Sequence, residues 1–170
     1  MRRLRLAFCL LPLTSLNCGD GGGDENVVRR PGKPDTVYVK SSDSKMDDAI
    51  RQARATVGEF ITALQAPKSG ERGFAIKKPF LVQGTTHEHI WLSNVTYDGK
   101  VFHGRVDNEP VDAKNVKLGD KATVGPEELS DWMFARDGKL VGGQTIRALY
   151  DLKSPAGRKK FEKETGLKAD

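Results

Sequence analysis

The chain reads EHIWLSNVTYDGKVFHGRV from Glu88 to Val106, and this stretch decides the fold. It resembles two strands joined at Asp98-Gly99, a dipeptide typical of the tight turn between two antiparallel strands. The stretch therefore predicts a hairpin with a two-residue turn. Together with His87, which directly precedes it, it holds all three histidines of the protein, so any chemistry is expected here.

An amphipathic helix is predicted before the hairpin. It begins near Ser44 and ends at Ala66, because the residue before Pro67 is pushed out of helical geometry. The opposite side of the helix carries mixed charge, which favours a helix packed on a sheet over one lying on a membrane. Its apolar residues recur every three or four positions and form one stripe: Met46, Ala49, Ile50, Ala53, Val57, Phe60, Ile61 and Leu64.

Several short strands are predicted around this hairpin. One runs from Phe74 to Val82, and Pro79 within it indicates an edge strand. A turn and short strand are expected over 117–126, and a last strand over 145–149. Residues 131–141 predict a second hairpin, whose Asp137-Gly138 turn has the same chemistry as Asp98-Gly99.

The resulting fold class is α+β. Ser154-Pro155 predicts the start of a charged C-terminal helix, with Gly166 near its end. We expect an amphipathic helix packed on a small, strongly bent antiparallel sheet or half-barrel of about five to six short strands, plus the C-terminal helix.

The N-terminus predicts export and a lipid anchor. Residues 1–18 form a signal peptide with a basic start and an apolar run, Leu6–Leu13, too short to span a bilayer. Ser15-Leu16-Asn17-Cys18 resembles a bacterial lipobox, which implies acylation of Cys18. Ser15 and Asn17 depart from the lipobox pattern, which favours Leu and then Gly or Ala at these positions. Simple secretion, with Cys18 incidental, is the alternative.

The remaining chain divides into a tether and one domain. Residues 19–34 are rich in Gly and Pro and predict a flexible tether. Residues 35–170 are predicted to form a single domain, with a core to about residue 152 and the charged helix at 154–166. We therefore expect a protein anchored to the bacterial cell envelope that faces the periplasm or the exterior, or else a secreted one.

Charge and cysteine content exclude two classes of function. The chain has a formal charge of +5, but removal of Arg2, Arg3 and Arg5 with the signal peptide leaves 25 basic residues against 23 acidic ones. These charges are interleaved, so no nucleic-acid partner is expected. Cys9 and Cys18 are the two cysteines, and both lie in the signal segment. The domain therefore contains no cysteine nucleophile, thiolate metal site or disulfide.

A series of short motifs runs along the domain in a fixed order: Ala49-Ile50, Ala53-Arg54-Ala55, Phe60, Glu88–Leu92, Asn108-Glu109-Pro110, Leu118-Gly119-Asp120, Ser130–Met133, Gly142-Gly143 and Thr145-Ile146-Arg147. In these motifs the domain resembles the YegJ-like family of bacterial domains, DUF2314, from Asp35 to about Leu152. The resemblance implies an exported or envelope domain, as in many members, and transfers no activity, cofactor or catalytic residue.

His87 and His89 are the clearest pair of candidate metal ligands, because alternate residues of a strand point to one face. With a two-residue turn at Asp98-Gly99, His103 is expected opposite Asn94 and on the other face of the sheet. Residues 87 and 94 are also about 24 Å apart along an extended strand. We therefore expect no metal site and no cofactor. The alternative is a site in which a carboxylate from elsewhere in the fold, Glu109 or Asp131, joins the histidine pair. The face of the histidine pair is expected to carry His87, His89, Trp91, Val95, Phe102 and Val106.

The other candidate ligand-binding residues are two tryptophans and three charged residues. Trp91 and Trp132 can stack a sugar or a peptide, although tryptophans in strands more often lie in the core. Asp131 and Arg147 are interpreted as a buried ion pair or a ligand clamp. Glu109 is the remaining polar candidate.

The expected function is an envelope-tethered binding or interaction domain. Its partners would be the membrane, through a lipid on Cys18, and a protein or glycan of the envelope that contacts one sheet face. No catalytic motif is present, so no catalytic residue is assigned. The alternative is an envelope hydrolase that uses His89 with Asp131. An enzyme needs a cleft with a histidine of perturbed pKa, whereas a binding domain needs an exposed apolar patch, and this difference separates the two hypotheses.

Overall fold

The computed structural model describes residues 27–28, 36–37 and 44–166. The chain divides into two compact units, residues 1–43 and 44–170. In the first unit, strand β1 (Val27–Val28) pairs antiparallel with strand β2 (Thr36–Val37). A short strand therefore lies within the predicted tether. The predicted signal peptide and Cys18 lie outside the described residues.

The second unit contains an open antiparallel sheet of six strands. In chain order the strands are β3 (Glu71–Gln83), β4 (Thr86–Tyr97), β5 (Phe102–Val106), β6 (Lys121–Val124), β7 (Asp131–Arg136) and β8 (Lys139–Gly142). Their order across the sheet is β6-β5-β4-β3-β7-β8. With four helices added, this is the predicted α+β class.

The predicted N-terminal helix is two helices, α1 (Ser44–Ala55) and α2 (Val57–Gln65). They separate at Thr56, whose hydroxyl donates to the carbonyl of Gln52 at 2.8 Å. This bond competes with the regular helical ladder and bends helices. Among the described residues, no helix has the length and apolar content needed to cross a bilayer.

The apolar stripe of α1 and α2 packs on the sheet as predicted. Phe60 is completely buried. Its ring centroid lies 5.6 Å from that of Trp132 and 5.7 Å from that of Phe102. The indole N–H of Trp132 donates to the carbonyl of Ala53 at 2.8 Å, so the buried tryptophan also joins α1 to β7. Trp132 is therefore a core residue.

The predicted last strand at 145–149 is wrong, because Gln144–Asp151 is a helix, α3. Gly142 and Gly143 both have positive φ, 70° and 65°, and turn the chain out of β8. The carboxylate of Asp131, on β7, then accepts hydrogen bonds from the backbone N–H groups of Gln144 and Thr145 at 3.0 and 2.8 Å. A side chain distant in sequence thus supplies the N-terminal cap.

The C-terminal helix, α4, spans Pro155–Thr165 and confirms the prediction. Ser154 accepts a hydrogen bond from the N–H of Gly157 at 3.2 Å, as an N-cap residue does. Gly166 ends the helix in the left-handed conformation, with φ of 66°.

The two Asp-Gly turns are different structures. At Asp137-Gly138 both residues have positive φ, and Arg136 pairs with Lys139 across a two-residue turn, as predicted. In the first hairpin Tyr97 pairs with Phe102, so four residues form the loop and the two-residue prediction is wrong there. The carboxylate of Asp98 accepts the N–H groups of Lys100 and Val101, both at 2.8 Å, and stabilises this longer loop.

Strand β3 is interior, whereas Pro79 predicted an edge. Strand β7 pairs with β3 only as far as Lys77, and Pro79 lies beyond that point. Its missing N–H therefore costs no ladder bond with β7, although Pro79 still faces His89 on β4.

Candidate functional site

A β-bulge at Asn94 reverses the predicted faces of the central hairpin. Ser93 pairs with Arg105 and Thr96 with His103, which leaves one residue too many on β4. Asn94 has φ of 52°, a conformation that Asn adopts more readily than most residues. As a result Val95 enters the core, and His103 lies on the same outward face as His87 and His89. The prediction that His103 lies on the opposite face was wrong.

Two polar rows cross this outward face over β4, β5 and β6. The first is Thr96, His103 and Thr123, and the second is Ser93, Arg105 and Lys121. Residues directly opposite on antiparallel strands lie on one face, with Cβ atoms about 5 Å apart. The strand pairing therefore brings side chains together that are far apart in sequence.

An open groove of about 630 Å³ follows these rows. Lys78 of β3 also lines it, so four neighbouring strands contribute. We call it the cationic groove; its lining residues are Lys78, Phe80, Asn94, Thr96, His103, Gly104, Arg105, Lys121, Ala122 and Thr123. Three of them are Lys or Arg, and none has a carboxylate.

His103 is fixed at one end of the groove by Asp98. Its Nε2 lies 2.8 Å from the Asp98 carboxylate, in an exposed pair. Hydrogen bonds from the N–H of Val101, from His103 and from the N–H of Lys100 hold the pKa of Asp98 well below its usual range. Asp98 is therefore ionised at any physiological pH. Its carboxylate is hydrogen-bonded to two backbone N–H groups of the loop and to His103.

A second depression, the histidine cleft, has a volume of about 570 Å³. Lys78 lines both the cleft and the cationic groove. His87 and His89 both line the histidine cleft, whereas His103 lines the cationic groove. The cleft is lined by Arg54, Lys78, Pro79, His87, His89, Val124, Glu127 and Glu128.

His89, in the histidine cleft, has a perturbed pKa. Its Nδ1 lies 2.6 Å from the hydroxyl of Ser130, which is buried. Burial of this part of the ring, with smaller effects of the nearby charges of Lys77, His87 and Arg54, lowers its pKa to about 4. The rest of the side chain is exposed in the cleft. His89 is therefore neutral at pH 7, with one ring nitrogen bound to Ser130.

Asp131 lies outside the cleft, in a buried polar cluster with Thr145 and Lys77. Its carboxylate is completely buried and also accepts the N–H of Trp132 at 2.8 Å and the hydroxyl of Thr145 at 2.6 Å. The ammonium of Lys77 donates to the same hydroxyl at 2.8 Å and lies 4.7 Å from the ring centre of Trp91. Burial lowers the pKa of Lys77, and the negative charge of Asp131 opposes this shift.

Of the three remaining candidates, Arg147 and Trp132 make contacts that stabilise the fold, and Glu109 lies in a loop. Arg147, on α3, donates to the carbonyls of Gly142 at 3.0 Å and Leu140 at 2.7 Å. Trp132 is buried in the core. Glu109 is exposed in the long loop between β5 and β6. The predicted ligand-binding residues are thus dispersed over several environments.

Glu88 has a structural role that alternation alone did not reveal. Its two carboxylate oxygens accept the consecutive backbone N–H groups of Val111, Asp112 and Ala113 at 2.8 to 2.9 Å. This binds the long loop to β4. Ser130, Arg105 and Lys121 were not predicted as site residues, because their positions depend on strand pairing.

No three His, Cys, Asp or Glu side chains converge as metal ligands anywhere in the part of the chain that the structure describes. The expectation that the domain binds no metal stays a prediction, as does the absence of a cofactor.

Comparison with known proteins places the chain in a family. The sequence model of a family described as "Uncharacterized protein conserved in bacteria (DUF2314)" matches residues 43–169. The chain is 38% identical over 116 residues to "Uncharacterized protein YegJ" of Escherichia coli K12, an alignment that covers 68% of this chain and 74% of that protein.

A second relative is a longer protein of Neisseria meningitidis serogroup B, named "Putative ankyrin repeat protein NMB1133/NMB1171". It is 33% identical over 119 residues, which are 66% of this chain and 47% of that protein, so the match spans about half of the relative. No solved structure matches the chain significantly. The family match covers most of the sequence, and the chain belongs to the bacterial DUF2314 family.

Proposed function

We propose that this protein is a tethered binding domain of the bacterial cell envelope, and that its ligand contacts the cationic groove. The observation that carries the proposal is the groove itself, an open surface with several polar side chains, built on four paired strands. Side chains on paired strands have defined positions, which suits recognition. Exposed residues such as Thr96, His103 and Thr123 offer donors and acceptors for a partner.

The envelope part of the proposal rests on the N-terminal sequence. The basic start, the apolar run Leu6–Leu13 and the lipobox-like Ser15–Cys18 favour export followed by acylation. A tethered domain acts on molecules within reach of the membrane, and a groove for binding fits that arrangement.

Site-specific cross-linking in living bacteria tests the proposal. A photoreactive amino acid in place of Thr123, which is exposed in the groove, is expected to form a discrete adduct on illumination. The matched control carries the same group in place of Gln52, which is exposed on α1 away from the groove lining. Absence of an adduct at position 123, or equal adducts at both positions, would contradict the proposal.

A hydrolase is the second candidate, and a neutral His89 in a cleft is the observation that favours it. A histidine with a pKa of about 4 is, however, a weak general base at pH 7. Its neighbour Ser130 is buried, and Asp131 is occupied by the cap of α3. This geometry supports a binding domain better than a catalytic relay.

A further inference from the structure

We infer that the cationic groove binds a phosphate-type oxyanion, through Arg105 and Lys121 on the neighbouring strands β5 and β6. This inference rests on the proposed function and names its ligand class. The phosphate group would belong either to a soluble molecule or to a lipid headgroup of the membrane beside which the domain is tethered.

Two like charges are directly paired in the groove. Arg105 and Lys121 face each other across β5 and β6, and both are exposed. Like charges directly opposite on neighbouring strands are destabilising. An anion held between the two cations removes this repulsion, and none of the residues that line the groove has a carboxylate to do so.

The guanidinium of Arg105 is held in position by the backbone. One N–H of Arg105 donates to the carbonyl of Gly119 at 3.0 Å, which holds the guanidinium in place. A guanidinium has five N–H donors in a planar fork that matches phosphate geometry. The bond to Gly119 therefore orders the side chain while leaving donors for an oxyanion.

The bulge at Asn94 adds a neutral polar side chain to the groove. Bulges redirect side chains and are frequent beside binding sites. This one places the exposed Asn94 among the groove-lining residues, near Thr96 and Thr123. Neutral donors thus accompany the cations, as an oxyanion with several acceptor oxygens requires.

Protection of a sheet edge explains only part of this arrangement. A lysine on an edge strand discourages pairing with another chain, and Lys121 lies on the edge strand β6. Arg105 lies on the interior strand β5, where this explanation does not apply. A ligand accounts for both cations.

The test is calorimetry of the full-length chain in mild detergent, with inorganic pyrophosphate as the soluble probe. We expect saturable binding that weakens as salt is raised. Arg105→Gln and Lys121→Gln are each expected to weaken binding about tenfold. Arg105→Lys, which keeps the charge and loses the fork, should fall between wild type and Arg105→Gln.

Lys139→Gln is the matched control, because Lys139 is an exposed strand lysine on β8 at the other edge of the sheet. It should bind pyrophosphate as the wild type does. All the substituted residues are exposed, so melting curves should show that each variant stays folded.

A second arm measures co-sedimentation with vesicles of phosphatidylglycerol or of phosphatidylcholine. Recruitment to the anionic vesicles without pyrophosphate binding would assign the phosphate to a lipid; pyrophosphate binding alone would assign it to a soluble molecule. Binding to neither probe, or equal binding by the Arg105→Gln and Lys139→Gln variants, would overturn the inference. Adducts at position 123 that persist in that case would still support a binding domain with a different ligand.

Discussion

At the scale of single residues, Asp131 shows how one buried carboxylate can determine local structure. It caps α3, bonds to its own strand and lies beside Lys77. Asp131→Asn replaces one acceptor oxygen with an N–H₂ group that faces donors. We expect a loss of about 3–5 kcal/mol in the free energy of unfolding, because Lys77 also loses its counter-charge. Urea titration measures it.

The control for Asp131 is Asp107→Asn, since Asp107 is exposed directly after β5. Its free energy of unfolding should stay within about 0.5 kcal/mol of wild type. An Asp131→Asn protein as stable as this control would show that the carboxylate is not the cap of α3.

His89 makes the stability depend on pH in a defined window. Its pKa is about 4 in the folded protein and 6.5 in the unfolded chain, so between these values the unfolded chain binds a proton that the folded protein does not. Stability therefore falls as the pH is lowered from about 6.5 to 4. His89→Gln should flatten this part of the stability profile.

His87→Gln is the comparison for this experiment, because His87 is exposed in the same cleft. Chemical denaturation at a series of pH values should give this variant a profile close to that of the wild type, because burial is the largest cause of the His89 shift and the charge of His87 contributes less. An unchanged slope in His89→Gln would mean that the imidazole is protonated equally easily in both states.

At the scale of elements, the α1–α2 stripe joins the two helices to the core of the sheet. Phe60 is completely buried and contacts Trp132, Phe102 and Phe134 through its ring. Phe60→Ala should cost about 3–5 kcal/mol, through lost burial and the cavity left behind. Arg51→Ala, on the exposed side of α1, should change stability by less than about 0.5 kcal/mol. Equal melting temperatures would contradict the packing of this face.

At the scale of the whole molecule, anchoring is predicted to depend on Cys18. Cys18→Ser should move the protein from the membrane fraction to the soluble fraction, and Cys9→Ser should leave it in the membrane fraction. Mass spectrometry of the wild type should show fatty acyl groups on Cys18. A wild-type protein already found in the soluble fraction, without acyl groups, would refute the anchor.

Local sequence signals predicted much of the fold. The three- and four-residue spacing around Phe60, the Ser154-Pro155 start of α4 and the Asp137-Gly138 turn are each encoded by neighbouring residues. The structure confirms all three. The same Asp-Gly dipeptide did not form the predicted two-residue turn at Asp98-Gly99. There the Asp98 carboxylate accepts hydrogen bonds from two backbone N–H groups and stabilises a longer loop.

The sequence by itself therefore determined the class of fold, the family and the helices with local caps. Only the tertiary structure decided the site. The bulge at Asn94 forms where Val95 packs into the core, and it sets which face His103 occupies. The cap of α3 comes from Asp131, 13 residues before its partner Gln144. Contacts between strands that are distant in the chain leave no local pattern, so the groove became visible only after the strands were paired.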